Sequence, residues 1–199
     1  MSDGTSTERH PFEPFLPENA RVLFLGSFPP QRKRWSIEFY YPNFINDFWR
    51  IMGLLCFGDR DRFVDVRARK FKLKEIKEFC SERGIALYDT ATAVRRLKDN
   101  ASDKFLEVVE PTDVPALLRK IPDCEAVVTT GDKATRTLCT VFDVQAPAVG
   151  EFSEYLFEGR RMRLYRMPST SRAYPLSLQK KADAYRRLSS YFVQSSHLE

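Results

Sequence analysis

The chain has 199 residues, 43% of them apolar, and carries 32 Lys and Arg against 27 Asp and Glu. That length suits one domain with a substantial core, and the composition is that of a globular chain rather than a disordered one. No apolar run reaches membrane-span length and Met1–His10 has no apolar signal core, so neither membrane insertion nor secretion is expected.

The rarer residues exclude more chemistry. The only histidines, His10 and His197, stand near the ends, so a Ser–His–Asp triad, a Cys–His pair or a His-rich zinc site is not expected. Cys56, Cys80, Cys124 and Cys139 form no C-x-x-C pair and read as reduced, apolar-behaving residues rather than cluster ligands. No metal and no cofactor is expected.

Residues 1–19 read as a loose polar arm and 194–199 as a tail, with a single domain over 20–193. Arg21–Gly26 is a short apolar run suited to a strand buried on both faces. Asp47–Leu55 has helical apolar spacing; Asp59–Lys70 reads as a highly charged loop; Phe71–Arg83 is an amphipathic helix stopped by Gly84. Ile85–Tyr88 is the next strand, and Asp103 within Asn100–Glu110 reads as a helix N-terminal residue. Asp113–Lys120 is a helix, Glu125–Thr130 a strand, and Asp132 a cap for a helix over Lys133–Val141. Arg161–Met167 is the fourth strand and Ser177–Phe192 the last helix.

Strands alternating with helices argue for an α/β fold, a parallel sheet with helices on both faces. Right-handed crossovers put all strand C-termini on one edge, where ligands bind in such folds. Phe28, Asp89, Gly131 and Ser169 follow the four strands and share that edge.

Several segments there can carry chemistry. Gly26-Ser27-Phe28-Pro29-Pro30 combines a close-approach glycine with a stiff loop, but matches no dinucleotide or triphosphate motif. Glu38–Trp49 is dense in aromatics that can pack a core or stack on a base. Its Asn46 can cap the following helix or act on a ligand. Asp89 is a turn residue or a water-activating carboxylate. In Met167–Pro175, Ser169, Thr170 and Ser171 can grip phosphates, and Arg172 and Tyr174 are large enough to enter a groove. From Gly159 to Arg187 nine basic residues, Lys180 among them, face one acid, Asp183. Such asymmetry suggests a polyanion-facing surface.

Together these pieces resemble the uracil-DNA glycosylase superfamily, chiefly its mismatch-specific and hypoxanthine-type branches, over roughly Val22 to Leu188. Gly26-Ser27-Phe28-Pro29 ends the first strand. Asn46-Asp47-Phe48-Trp49 is similar to the family's Asn-x-Phe-Trp. Leu87-Tyr88-Asp89, with Asn100-Ala101-Ser102-Asp103 later, resembles the segment after its second strand. Pro168-Ser169-Thr170-Ser171 before a Tyr-Arg-Arg-Leu helix resembles its second motif.

The resemblance implies a three-layer α/β/α sandwich around a four-stranded parallel sheet, and a glycosylase that hydrolyses the N-glycosidic bond of a deaminated base, uracil or hypoxanthine, flipped from DNA. It implies Gly26, Ser27, Phe28 and Tyr41 as base pocket, with Phe28 or Tyr41 stacking on the base. It implies Ser169, Thr170, Ser171, Arg172, Tyr174 and Lys180 as DNA contacts. The first motif lacks the aspartate of the uracil enzymes and the asparagine of the mismatch-specific branch. Asn46 is then the leading catalytic candidate and Asp89 the reserve. The expected partner is DNA, as damaged or mismatched duplex or single strand, and the expected protein a cytoplasmic monomer, nucleoid-associated in a bacterium. The alternative is a non-catalytic nucleic-acid binder on the same fold.

Overall fold

The computed structural model describes residues 6–97 and 105–192. In chain order the elements are β1 (Thr7–Arg9), β2 (Val22–Gly26), α1 (Phe48–Phe57), β3 (Val64–Asp65), β4 (Lys70–Phe71), α2 (Leu73–Glu82), β5 (Ile85–Asp89) and β6 (Ala91–Arg96). Then follow β7 (Leu106–Pro111), α3 (Val114–Lys120), β8 (Ala126–Thr130), α4 (Asp132–Phe142), β9 (Phe152–Phe157), β10 (Arg160–Met167), α5 (Leu178–Tyr185) and α6 (Ser189–Phe192).

The central sheet has the order β5-β2-β8-β10-β9. β5, β2, β8 and β10 run parallel, in register Val22↔Ile85, Val22↔Ala126 and Arg163↔Ala126. Every residue of β2, β5 and β8 is buried, as continuous apolar strands covered on both faces require. The expected four-stranded parallel sheet is corrected to a five-stranded mixed one. β9 extends it antiparallel, joined to β10 through Glu158 and Gly159, both at positive φ. Two left-handed residues give a hairpin turn whose twist matches its strands.

Three more expectations change. Residues 6–19 are not a loose arm. β1 pairs with β6 in a second sheet, β1-β6-β7; Phe15 exchanges backbone hydrogen bonds with Leu87; and Phe12, Phe15 and Leu16 pack on the core. Those apolar side chains offset the ordering cost of a segment that is otherwise polar. Asp59–Lys70 is not a plain loop, because it turns into the β3–β4 hairpin, with Val64 opposite Phe71. Ser177–Phe192 is not one helix: a 3-10 turn at Arg186–Leu188 separates α5 from α6. Tyr185 and Leu188, both buried, lie three residues apart across this turn, a spacing that its three residues per turn keep on one side.

Asp132 is the first residue of α4 rather than its cap, and pairs with Arg136 and Arg166. Asp103 and the 194–199 tail lie outside the described residues.

α1 and α5 pack against each other, and a buried ion pair joins them. Lys181, with no exposed surface, donates to Asp47 Oδ2 at 2.9 Å and to the Ser171 carbonyl at 2.7 Å. Arg172 Nε lies 3.2 Å from Asp47 Oδ1. A buried charge costs heavily unless paired and hydrogen-bonded, and here each carboxylate oxygen of Asp47 has a cationic partner. The cluster ties the start of α1 to the loop after β10.

Candidate functional site

A cavity of about 120 Å³ opens at the C-terminal edge of the parallel strands. Its lining comes from four places: Gly26–Pro30 after β2, Tyr41–Asn43 with Asn46, Asp89 at the end of β5, and Ser169–Ser171 after β10. Thr130 and Arg96 complete it. The two strand-end loops and the aromatic segment thus meet as walls of one cavity.

The Gly26 position is dictated by space. A Cβ there would lie 2.4 Å from Asp89 Oδ1, far inside van der Waals contact, so the absent side chain is what admits the carboxylate. The Gly26 carbonyl accepts the Thr90 N–H, and the Asp89 carbonyl accepts the Thr112 hydroxyl. Both bonds fix the backbone on which Asp89 stands.

Asp89 has a partner that sequence reasoning missed. His10, just past β1, places Nε2 2.8 Å from Asp89 Oδ2, with only 2% of its side chain exposed. The expectation that neither histidine stands inside the fold is therefore corrected: His10 is near the end of the chain but buried beside Asp89. The usable signal was the run Pro11-Phe12…Phe15-Leu16 beside it, whose apolar side chains need a place to dock. Aromatic rings of Phe12, Phe28, Tyr40 and Tyr88 surround the imidazole at centroid distances of 4.6–6.1 Å.

Arg96 was also missed. Its Nε bridges both carboxylate oxygens of Glu8 at 2.9 and 3.0 Å, Nη2 donates to the Pro29 carbonyl at 2.6 Å, and the guanidinium lies over Phe28. One side chain thereby joins β1 and β6 of the small sheet to the first loop.

The remaining expected residues divide between lining and packing. Phe28 lines the cavity, but its ring is buried among Ala91, Val94 and Leu106. Tyr41 has one face covered by Phe48, 3.8 Å away and nearly parallel, and its hydroxyl pairs with Thr130 Oγ1 at 3.0 Å. At φ 50° it occupies the left-handed region, which a bulky residue adopts only when its surroundings over-determine it. Burial, then the charge of Asp89, pushes the Tyr88 hydroxyl up to about 12. Burial is also the main cause of the upward shifts of Tyr40 and Tyr41, to which Asp89 adds. These hydroxyls are neutral donors at physiological pH.

Asn46 Oδ1 accepts the Phe48 N–H at 2.9 Å, so its carbonyl caps the start of α1 while the residue lines the cavity. In the loop after β10, Ser169 and Ser171 accept their own loop's amides from Ser171 and Ala173, leaving each hydroxyl proton to donate. Thr170 is buried, its carbonyl bonded to the Asp47 amide. Ser171, Arg172 and Lys180 are exposed and Tyr174 half-buried.

The basic C-terminal stretch is largely consumed. Arg163, Arg166, Arg186 and Arg187 pair with Glu154, Asp132, Asp183 and Glu151, and Arg160 donates to the Leu118 and Pro122 carbonyls at the end of α3. Among the described residues Arg161 and Lys180 make no ion pair. Exposed cations also stand at Arg60, which pairs with Asp61 and shares a depression with Arg172, and on the β3–β4 hairpin at Arg67 and Arg69, with Arg69 over the Phe44 ring.

No family model matches the chain, and no curated protein does. Among solved structures it is similar to a solution NMR structure from Methanosarcina acetivorans named "putative Uracil DNA glycosylase". The TM-score is 0.58 at 21% identity, over 92% of this chain and 99% of that one. The likeness is one of fold. It spans nearly all of both chains. No helix of the described residues is long and apolar enough to cross a membrane.

Proposed function

We propose that the protein is a monofunctional DNA glycosylase that hydrolyses the N-glycosidic bond of a deaminated base, uracil or hypoxanthine, turned out of DNA into the cavity. The observation that carries this reading is the convergence, on one small cavity at the parallel-strand edge, of the Gly26–Pro30 loop, the Tyr41–Asn46 segment, the Asp89 carboxylate and the Ser169–Ser171 loop. About 120 Å³ is small beside the several hundred cubic ångströms, roughly 300 or more, of clefts for drug-sized ligands. It suits one ring entering from an extended strand.

In this reading the C1′–N bond breaks with its electron pair leaving on the base, and positive charge develops on the sugar. Asp89 stabilises that charge electrostatically and accepts the proton of the water that attacks C1′. Asn46 orients water or base through its amide, its carbonyl being committed to α1. That commitment moves the leading catalytic role from Asn46 to Asp89. Phe28 and the open side of Tyr41 bound the base. Ser169, Ser171, Arg172, Tyr174 and Lys180 face the strand, joined by Arg60, Arg67 and Arg69.

The test is a panel of duplexes and single strands carrying deoxyuridine or deoxyinosine, incubated with the protein and then treated with alkali. Strand scission at the lesion is expected. Salt-dependent binding with no free base from any substrate would leave the non-catalytic binder instead.

A further inference from the structure

Asp89 can serve as proposed only if its carboxylate is ionised and turned to the cavity. Its side chain is only 10% exposed, so hydrogen bonds from the protein, rather than water, must orient it. We propose that His10 is the positioning residue that does so, presenting Nε2–H to Oδ2 and leaving Oδ1 against Gly26 on the cavity side. For its effect on turnover the inference rests on the glycosylase reading; for the state of the pair it does not.

The surroundings of the imidazole carry the argument. Nδ1 lies 2.9 Å from the Phe12 carbonyl and 3.1 Å from the Phe12 amide. A neutral ring protonated at Nε2 accepts the Phe12 N–H. An imidazolium donates its Nδ1 proton to the Phe12 carbonyl. In both of these states Nε2–H faces Asp89, whereas a neutral ring protonated at Nδ1 would turn a bare nitrogen lone pair toward the carboxylate, which repels it. The rings of Phe12, Phe28, Tyr40 and Tyr88 pack round the imidazole, and Phe28 and Tyr88 belong to the loop and strand that themselves line or support the cavity. The titratable groups nearest the ring are Asp89 from β5 and the Tyr40 and Tyr88 hydroxyls. Tyr40 donates to the Glu13 carbonyl at 2.6 Å, away from the imidazole. Asp89 is thus the acidic group hydrogen-bonded to His10 among the described residues.

An orienter of this kind is recognised by what it does to the group it holds. A merely structural histidine would anchor β1 and affect stability alone.

The experiment uses the full chain labelled with ¹⁵N-histidine. His197 is the only other histidine, so His10→Gln assigns the spectrum. The His10 ring is expected to be protonated at Nε2 near neutral pH, with that signal shifting in Asp89→Asn. An Nε2 without a proton, or a signal indifferent to Asp89→Asn, overturns the proposal.

Turnover is the other readout. His10→Phe keeps the packing and removes the donor. Its single-turnover excision rate is expected to fall about 10- to 100-fold, the worth of a hydrogen bond to a charged group, with affinity for lesion duplex unchanged. His10→Gln, which can still donate to Asp89, is expected to recover most of the rate. Normal excision by folded His10→Phe overturns the role. If the wild-type protein excises no lesion, the glycosylase reading falls, and the ring signals still decide whether His10 holds Asp89.

Discussion

Residues 6–19 and residues 160–187 exchange the roles that their sequences advertise. Residues 6–19 have the composition of a polar lead-in, yet they deliver His10 to the Asp89 carboxylate and Glu8 to Arg96 in the cavity wall. Residues 160–187 have the composition of a polyanion-binding stripe, yet most of their cations are paired or hydrogen-bonded within the fold, and Lys181 is fully buried against Asp47. Charge density along a chain counts residues; it does not count the acids that folding brings opposite them. Of the two segments, the quiet one brings a histidine to the cavity's carboxylate, and the loud one uses most of its charge within the fold.

The sharpest way to break that contrast is Asp89→Asn, which keeps shape and removes the charge. Excision is expected to fall by about 10² to 10⁴, the range for losing a positioned base, with folding and duplex binding retained. Retained turnover would return the leading role to Asn46. In the basic segment the largest expected effect is on stability. Lys181→Met leaves Asp47 buried with one of its two cations gone, and a loss of about 3 kcal/mol is expected in chemical denaturation, at the low end for breaking a buried pair because Arg172 remains.

A third comparison concerns which cations meet DNA in the proposed reading. Replacing Arg67 and Arg69 together by alanine should weaken duplex binding and lower the slope of log affinity against log salt by about 2, one phosphate contact each. Replacing Arg163 or Arg187 should leave that slope unchanged and stability within about 0.5 kcal/mol, as for exposed pairs generally. The opposite pattern would restore the C-terminal stretch as the DNA face.

The smallest effect is on pH dependence. Burial raises the Cys56 thiol to about 11, and the Tyr88 hydroxyl to about 12. Each group keeps its proton in the folded state after the unfolded chain has released it. Stability from these groups is complete below about pH 9 and lost progressively up to about pH 12, so melting temperature is expected to decline over that window and to be flat across it if the groups are not buried.

Much of the frame was legible because it rests on short-range signals. The apolar runs of β2, β5 and β8, the alternation of basic and apolar residues in β10 and the amphipathic spacing of α1, α2 and α4 depend on neighbouring residues, and the strand-end position of Gly26, Asp89 and Ser169 follows from them. What escaped depends on partners far along the chain. The alternation in Phe152–Phe157 that makes β9, and the pairing of β1 with β6, leave little local trace. Asn46 was an even choice between cap and ligand group until the bond from the Phe48 amide located its carbonyl. His10 was discounted by its place in the chain, which says nothing of its place in space.

The Asp47 cluster also bears on when the site comes into being. Its carboxylate waits for cations 125 and 134 residues downstream, just as His10 waits for an acid 79 residues away. Closing such long loops is slow compared with forming local helices. As the chain leaves a ribosome, β2 and α1 emerge well before the loop that completes the cavity. Any shortened product that stops before Arg172 and Lys181 would hold an unpartnered acid at the root of α1 and a pocket with one wall missing. Assembly of the site is therefore nearly coincident with completion of the fold, so partly folded chains are expected to be inert towards DNA lesions rather than weakly active.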